Sequence, residues 1–425
     1  MNQLKDGYVV DVPYPTFVHK QAMPLWMTVI VQQQGFHAPN IDRPFRYLEL
    51  GCAMGIHLHL TAAAHPNGHF VGVDFNPQQL LVAQEGIERT DISNIEFIQA
   101  SFDEILDLDL ESFDFIVTHG VWSWINDQYQ QSITDIVDQL LKPGGIFYCS
   151  YMSHPGATHF SSIQKLMVEM ARNLQGDSNT KAVQTLHFAR QLAQHDVGLF
   201  QKVPSLKQDL SALAQDKPSY IAHDFLSQHW QPQHSADMIR RFGSIQMAYT
   251  AGAGIIENMD SLSLPPALKK VIDQLPLVTL QETAKDIARY TLQRQDLYIK
   301  NRTKPEPDTG FQNVQFRLMP KAPVGQSLAH DPKIGMINDV IEICEKILSA
   351  LADTPLSVKA LFNHLKLHIT LSQFGEIMML LMWAGYIHPT TTQIDHIVVS
   401  KMNQWMQEQQ LNWRVFAECA TVIEP

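Results

Sequence analysis

Residues 47–55, Tyr-Leu-Glu-Leu-Gly-Cys-Ala-Met-Gly, followed by Asp74 at the end of Val71-Gly72-Val73-Asp74, constrain this chain more than any other feature. The run reads as a buried strand, a tight turn of small residues, a helix, and a second strand closed by a carboxylate. That is the first crossover of a doubly wound parallel sheet, where a nucleoside-bearing ligand approaches backbone at the carboxyl ends of the strands. Asp74 lies 19 positions after Gly55, close to the roughly 20 expected of a carboxylate that accepts from ribose hydroxyls. The alternative is a chance glycine turn in any α/β protein. The strand before it, the helix after it and the acid at that distance weigh against chance.

A dinucleotide site calls for G-x-G-x-x-G, which sets a helix N-terminus on a pyrophosphate. The chain has Gly51-x-Ala53-x-Gly55, no glycine at 58, and no Gly-Lys-Ser/Thr loop. S-adenosylmethionine carries no phosphate, and its charge is a sulfonium cation. Glu49 and an acidic chain suit that cation. The expected cofactor is S-adenosylmethionine, with NAD the runner-up.

From Phe45 the sequence alternates strand and helix patterns. Strands are expected at 46–50, 69–74, 95–99, 113–118 and 146–151, and helices at 56–64, 78–88, 102–106 and 128–141. Such alternation predicts a parallel sheet with helices on both faces. Lys142-Pro143-Gly144-Gly145 stops a helix and launches the next strand. Residues 1–45 read as a leader capping the cofactor site, with turn chemistry at Val12-Pro13-Tyr14-Pro15 and a helix from Pro24 to Gln34. Residues 46–156 form the Rossmann-like core. Residues 157–320 read as a helical regulatory or substrate region that includes the strands closing the sheet. There, 245–250 and 314–318 are expected to pair antiparallel, and 303–311 to form an exposed turn. The proline-rich stretch 320–332 predicts a linker. Residues 336–425 predict a C-terminal winged-helix-like domain, with helices at 335–351, 358–365 and 371–384, then a wing from 385–389 and 394–399. The third helix opens Leu371-Ser372-Gln373-Phe374-Gly375-Glu376, without Lys or Arg. A packing or protein-contact role is expected there in preference to DNA reading.

The chain has 425 residues, room for two or three domains. Its net charge of -12, from 43 acids against 31 bases, argues against a protein that tracks nucleic acid by neutralising phosphates. Cys52, Cys149, Cys344 and Cys419 form no close pair and are expected as free thiols in the cytoplasm. Met1-Asn2-Gln3-Leu4-Lys5-Asp6 has no basic run before an apolar core, so no signal peptide is expected. No apolar run approaches the ~18 residues of a membrane span. No metal is expected either: His57 and His59 are two apart on a helix, and His364 and His368 enclose no glutamate.

At this point the chain resembles the bacterial class I methyltransferases that carry a methyltransferase regulatory domain, among them the protein-lysine methyltransferases of outer-membrane proteins. The resemblance spans about residues 8–320. It rests on Tyr8 and Val12-Pro13-Tyr14-Pro15, Leu48–Cys52, Asp74-Phe75-Asn76-Pro77, Phe113–Gly120 with Trp122-Ser123-Trp124, Leu141–Gly145 with Tyr148–Tyr151, His223–Leu226, and Asp296–Arg302. It implies a seven-stranded methyltransferase sheet. It also implies that Gly51, Ala53 and Gly55 wrap the methionine part, Asp74 binds ribose, Ser101 and Phe102 flank adenine, and Tyr14 caps the site. Glu49, Cys52, Phe75, Asn76, Gln79, His119 and Gly120 complete the expected cofactor contacts. Alanine stands at 53 where the pattern has glycine, and histidine at 57 where asparagine is frequent. A positive φ at 53 would strain the alanine.

Methyl transfer to an amine needs an in-line nucleophile and exclusion of water. The fourth strand ends at His119-Gly120-Val121-Trp122-Ser123-Trp124 and the fifth at Tyr151-Met152-Ser153-His154. His119, Trp122 and Tyr151 are the candidate catalytic residues, His119 to orient or accept a proton and the other two to form an amine channel. A structural, hydrogen-bonded His119 and a core Trp124 are the alternatives. Trp124, His154 and His223 are candidate substrate contacts; His223-Asp224 and His229-Trp230 are candidates for gating, with capping or core packing as the default. The expected activity is methylation of a protein lysine. A small-molecule methyltransferase, or a cofactor-binding regulatory or scaffold protein without transfer, remains the alternative. The expected partners are a lysine-bearing protein or a small molecule, with no nucleic acid, no membrane segment, and a homodimer as one arrangement.

Overall fold

The computed structural model describes residues 4–303, 310–335, 337 and 340–424. The turn expected over 303–311 lies for the most part outside the described residues, as does part of the start of the helix expected from Gly335. A short hairpin, β1 (Leu4–Lys5) and β2 (Tyr8–Val9), precedes helix α1 (Pro24–Gln33). The crossover units follow: β3 (Phe45–Leu50), α2 (Ile56–Ala64), β4 (Gly68–Asp74), α3 (Pro77–Thr90), β5 (Ile95–Gln99), β6 (Phe113–Thr118), α4 (Asp127–Leu140) and β7 (Leu141–Met152). Their residues are buried on both faces, as a parallel sheet covered by helices requires.

A helical insertion comes next: α5 (Phe160–Ala171), α6 (Ser178–Ala193), α7 (Leu199–Lys202), α8 (Ser205–Leu213), α9 (Pro218–Leu226) and α10 (Ser235–Gly243). Helices α5 to α9 have their own apolar core, which also takes in Val9 and Val12 of the leader, whereas α10 packs on the sheet. The chain then returns to the sheet through β8 (Met247–Gly252), α11 (Asp260–Ser263), α12 (Pro266–Ile272), α13 (Val278–Arg289) and β9 (Gln293–Lys300).

The seven strands run in the order β5-β4-β3-β6-β7-β9-β8. Only β9 opposes the others, antiparallel to both β7 and β8. The strand order reverses between β3 and β6, which opens a crevice at their carboxyl ends. The closing pair is therefore β8 with β9. Strand β10 (Gln315–Leu318), expected beside residues 245–250, joins a separate sheet with β11 (Leu356–Ser357) and β12 (Ile387–Pro389).

Residues 293–296, Gln-Arg-Gln-Asp, are all polar or charged and open strand β9. In the fold their charges are buried and paired. The Arg294 guanidinium meets Glu282 at 2.9 Å, Asp286 at 2.7 Å and Asp296 at 2.9 Å. Tyr151 and Tyr298 donate to the second oxygen of Asp296, at 2.6 and 3.2 Å. With the Tyr249 hydroxyl, which accepts from Arg294 at 3.0 Å, the network joins β7, β8, α13 and β9.

The C-terminal segment holds α14 (Ile341–Ala350), α15 (Val358–Leu365), α16 (Leu371–Ala384), α17 (His396–Glu408), β13 (Arg414–Phe416) and β14 (Thr421–Ile423). A Thr370/Gln373 capping box starts α16, and Gly385 ends it with φ at +80°. The second half of the expected wing, 394–399, is instead the start of α17. Asp395 supplies the reason: its carboxylate accepts from the N–H groups of Ile397 and Val398 and caps a helix. Helix α17 lies on the back of the cofactor-binding helices. The Trp405 ring meets His59 edge-on at 5.0 Å, and His59 bonds the Ala83 carbonyl at 2.8 Å. Gly86 leaves the space these rings fill, since a Cβ there would fall 2.4 Å from His59 and 2.5 Å from Trp405. One apolar core runs from α1 through one face of the sheet into these helices. The four cysteines are unpaired and buried. Among the described residues no helix is long and apolar enough to cross a membrane.

Arg294→Ala removes one partner from a buried network and should lower the unfolding free energy by about 3–5 kcal/mol. Arg172→Ala breaks an exposed pair with Glu169 and should change it by less than about 1 kcal/mol. Urea denaturation of the two variants checks the contrast.

Candidate active site

The crevice between β3 and β6 is a cleft of about 1240 Å³, part of it open to solvent. Its floor is the turn after β3. Gly51 (φ +78°) packs so closely that a Cβ would sit 2.6 Å from the Val121 side chain. Gly55, at φ +68°, would place one 2.5 Å from Phe97. Ala53 has φ +49°, the left-handed region, which costs a non-glycine residue roughly 1–2 kcal/mol. Its amide is held there by Asp74, whose Oδ2 accepts the Ala53 N–H at 2.9 Å. Asp74 Oδ1 accepts from Asn76 at 2.8 Å. Burial raises the Asp74 carboxyl while these two bonds and Lys5 oppose the rise. A carboxylate has about four lone-pair sites, so two still face the cleft.

Glu49 lies at the end of β3 and is buried. Burial first, and the charge of Asp74 second, push its carboxyl up to about 8. Its Oε2 has no partner among the described residues, and neither has Gln79 Oε1. Both residues line the cleft. An unpartnered carboxylate at the floor is complementary to a cation, and a second acceptor beside the ribose position suits a nucleoside. The residues present fit a nucleoside with a cationic amino-acid tail.

Phe75, Ser101, Phe102 and Tyr129 line one end of the cleft. Lys5 of the leader lies over the Phe75 ring at 4.8 Å, and Tyr129 bonds Asp6 at 3.0 Å. The leader thus closes over the end expected to hold the base. At the other end His119 and Gly120 follow β6. His119 Nδ1 pairs with the Tyr148 hydroxyl at 2.7 Å, and its ring stacks on His19 with centroids 3.4 Å apart. The His19 N–H faces His57 Nδ1 at 3.4 Å. Burial lowers all three histidines: His57 to about 3, His19 to about 4, and His119 well below its ordinary value. They are neutral imidazoles at physiological pH, each with a single ring N–H and no positive charge. Among the described residues no group of three His, Cys, Asp or Glu side chains has metal-binding geometry.

Most of the residues singled out from sequence meet in this one cleft: Tyr14, Glu49, Gly51, Cys52, Ala53, Gly55, Asp74, Phe75, Gln79, Ser101, Phe102, His119, Gly120 and Trp124 all line it. Asn76 does not; it caps α3 by accepting from the Gln78 N–H. Trp122 does not form a channel wall. It is fully buried against Phe242, under Arg241, because the turn after β6 points alternate tryptophans to core and cleft. Tyr151 is also fully buried, with its hydroxyl committed to Asp296. His154 stacks on His234 at 4.4 Å, away from the cleft. His223 sits behind the wall: its Nε2 bonds the Val12 carbonyl at 3.0 Å, and Tyr8 and Tyr14 pack on its ring. His19 and Phe17 line the cleft and were missed, since no spacing rule connects the leader to the end of β6.

Two family models match the chain in series: a methyltransferase domain over residues 41–232 and a predicted methyltransferase regulatory domain over residues 217–300. The chain is an S-adenosylmethionine-dependent methyltransferase. PKMT2 of Rickettsia typhi, solved in complex with AdoHcy, shares the fold of this methyltransferase. The TM-score is 0.68 at 21% identity, over 90% of this chain and 78% of that one. The Synechocystis protein sll1526 is 27% identical over 91% of this chain and 77% of its own length. The Rickettsia prowazekii protein RP789 is 27% identical over 74% of this chain, which spans only 57% of that relative.

Two outcomes follow from the floor of the cleft. Ala53→Gly relieves the left-handed alanine and should raise the unfolding free energy by about 1 kcal/mol, read from urea midpoints. Below about pH 8 the apo Glu49 is protonated, and a cationic ligand must displace that proton. Binding of S-adenosylmethionine should therefore tighten by up to about tenfold from pH 6 to pH 7. Calorimetry on Glu49→Gln should show that slope lost.

Proposed function

We propose that this methyltransferase acts on the Nε amine of lysine side chains in a protein. The observation that carries the reading is the mouth of the cleft, where Tyr14, Phe17 and Trp124 wall the approach to Gly120. The Tyr14 hydroxyl lies 3.7 Å from where a Cβ at Gly120 would be. A narrow aromatic approach suits a four-carbon apolar stem tipped by an ammonium, which ring faces attract. The likeness in fold to PKMT2, a protein-lysine methyltransferase, over 90% of the chain supports the same reading.

S-adenosylmethionine supplies a methyl carbon made electrophilic by its sulfonium. In this reading Asp74 holds the ribose hydroxyls with its two remaining lone-pair sites. Gly51, Ala53 and Gly55 bring the backbone against the ligand, and Glu49 takes its cationic amino-acid end. Phe75, Ser101 and Phe102 flank the base, and Cys52 and Gln79 fill the wall between. His119, oriented by Tyr148 and covered by His19, is a neutral wall that excludes water. The leader closes the site through Lys5, Tyr8 and Tyr14. Water exclusion matters because a lysine amine, with a free pKa of about 10.4, resists deprotonation by roughly 4–5 kcal/mol at pH 7, and a dry aromatic site lowers that barrier.

Incubation with methyl-labelled donor and bacterial protein extract, then acid hydrolysis, should place the label in methyl-lysines. Label confined to the small-molecule fraction would instead identify a small-molecule methyltransferase. Asp74→Ala should abolish both the labelling and the rise in melting temperature that millimolar S-adenosylmethionine gives the parent protein.

A further inference from the structure

Helix α9 carries a charge that the cofactor does not use. Asp224 is half-buried on α9, behind the lining of the cleft and close enough to the lining residue Tyr14 for its charge to act on that phenol. The Trp124 indole N–H, on a wall of the cleft, donates to the Asp224 backbone carbonyl at 3.1 Å. That bond pins α9 against the loop after β6. The Tyr220 hydroxyl, one turn earlier on α9, donates toward the Asp224 carboxylate. No lysine, arginine or histidine among the described residues forms an ion pair with it.

The surroundings are aromatic. Tyr14 and Phe17 of the leader stand 6.0 Å apart, and Phe17 stands 5.9 Å from Tyr220. Phe17 remains 40% exposed, an unusual state for a phenylalanine that could have packed inward. Three rings in a row from two segments, with the Trp124 indole bonded to the backbone of a residue whose carboxylate has no cationic partner among the described residues, make a receptor for one organic cation. Resting on the lysine reading above, we propose that Asp224 anchors the substrate ammonium in this box and accepts its proton. One proton passes from the ammonium nitrogen to a carboxylate oxygen, which leaves the nitrogen lone pair free to attack the methyl carbon. The carboxyl returns that proton to water when the product leaves.

The titration of the neighbourhood agrees with the geometry. Burial raises the Asp224 carboxyl to about 7, helped by Asp216 in the turn before α9 and opposed by Tyr220. Among the described residues the leader presents Tyr8 and Tyr14 to it, both phenols held protonated. The neighbouring His223 is lowered to about 4 and adds no charge. A base poised near the working pH transfers protons most effectively. His19, His57 and His119 lie too far below that range for the task.

The test compares two probes on the full chain saturated with S-adenosylhomocysteine at pH 8: Nα-acetyl-lysine amide and its neutral isostere Nα-acetyl-norleucine amide. Asp224→Asn should weaken the lysine probe at least tenfold, leave the norleucine probe unchanged, and leave S-adenosylhomocysteine affinity unchanged. An equal loss for both probes, an unchanged lysine affinity, or no binding of the lysine probe to the parent protein overturns the proposal. The pH dependence of kcat/KM for protein-lysine labelling gives a second readout. The parent should lose rate as pH falls through about 7, where Asp224 becomes protonated. Asp224→Asn should lose that limb, and Asp224→Glu should restore part of it. If the parent labels lysine and Asp224→Asn keeps both rate and limb, the role of Asp224 is wrong while the lysine reading stands. If the parent labels no lysine, the lysine reading itself falls.

Discussion

The Ala53 amide donates to Asp74 across 2.9 Å, and through that bond one carboxylate organises three backbone segments. It holds the turn after β3 in a conformation that alanine adopts only under constraint. Its other oxygen takes the Asn76 N–H, and Asn76 in turn caps α3. The end of β4, the turn and the start of α3 therefore share one anchor. The burial that raises the Asp74 carboxyl is offset by the same backbone donors that shape the site. A ligand then finds a floor already set.

Charge is rationed around this floor. Three histidines that would titrate near neutrality in water are held neutral by burial. The groups that titrate near neutrality are carboxyls at two different places, Glu49 on the floor and Asp224 on α9. Each lacks a cationic protein partner among the described residues. Two acids without cationic partners suit a reaction in which both reactants bring positive charge. The most deeply buried ion pairs among the described residues are kept elsewhere, around Arg294, where they fasten the last inserted strand.

The crossover units were legible because their signals are local: alternating periodicity, a glycine turn, a carboxylate at the right distance. That is why Gly51, Gly55, Asp74 and the β6 loop could be placed from sequence. Strand β9 was not among the strands expected from sequence, since Arg294 and Asp296 break its apolar pattern and find their partners only with Glu282 and Asp286 from α13. Trp122 and Trp124 could not be told apart either. Both follow β6 at even spacing, and only the 3-10 turn that carries them sends one to the core and the other to the cleft. Residues 314–318 have true strand character, but partner choice depends on β11 and β12, which are distant in sequence. Likewise Asp395 turned an expected wing into a helix through a cap two and three residues downstream.

Helix α2 begins at Ile56, directly after the cofactor turn, and it is gripped by the leader and by the C-terminal segment. The leader reaches one side of it through His19 and His57, and α17 reaches another through Trp405 and His59. A chain emerging from the ribosome makes Gly51 and Asp74 early, yet the back of α2 stays bare until residue 405 has been synthesised. Exposed apolar surface of this kind invites misassembly during translation. The helix that follows the cofactor turn is thus among the last parts of the core to be covered, although its own residues are made early.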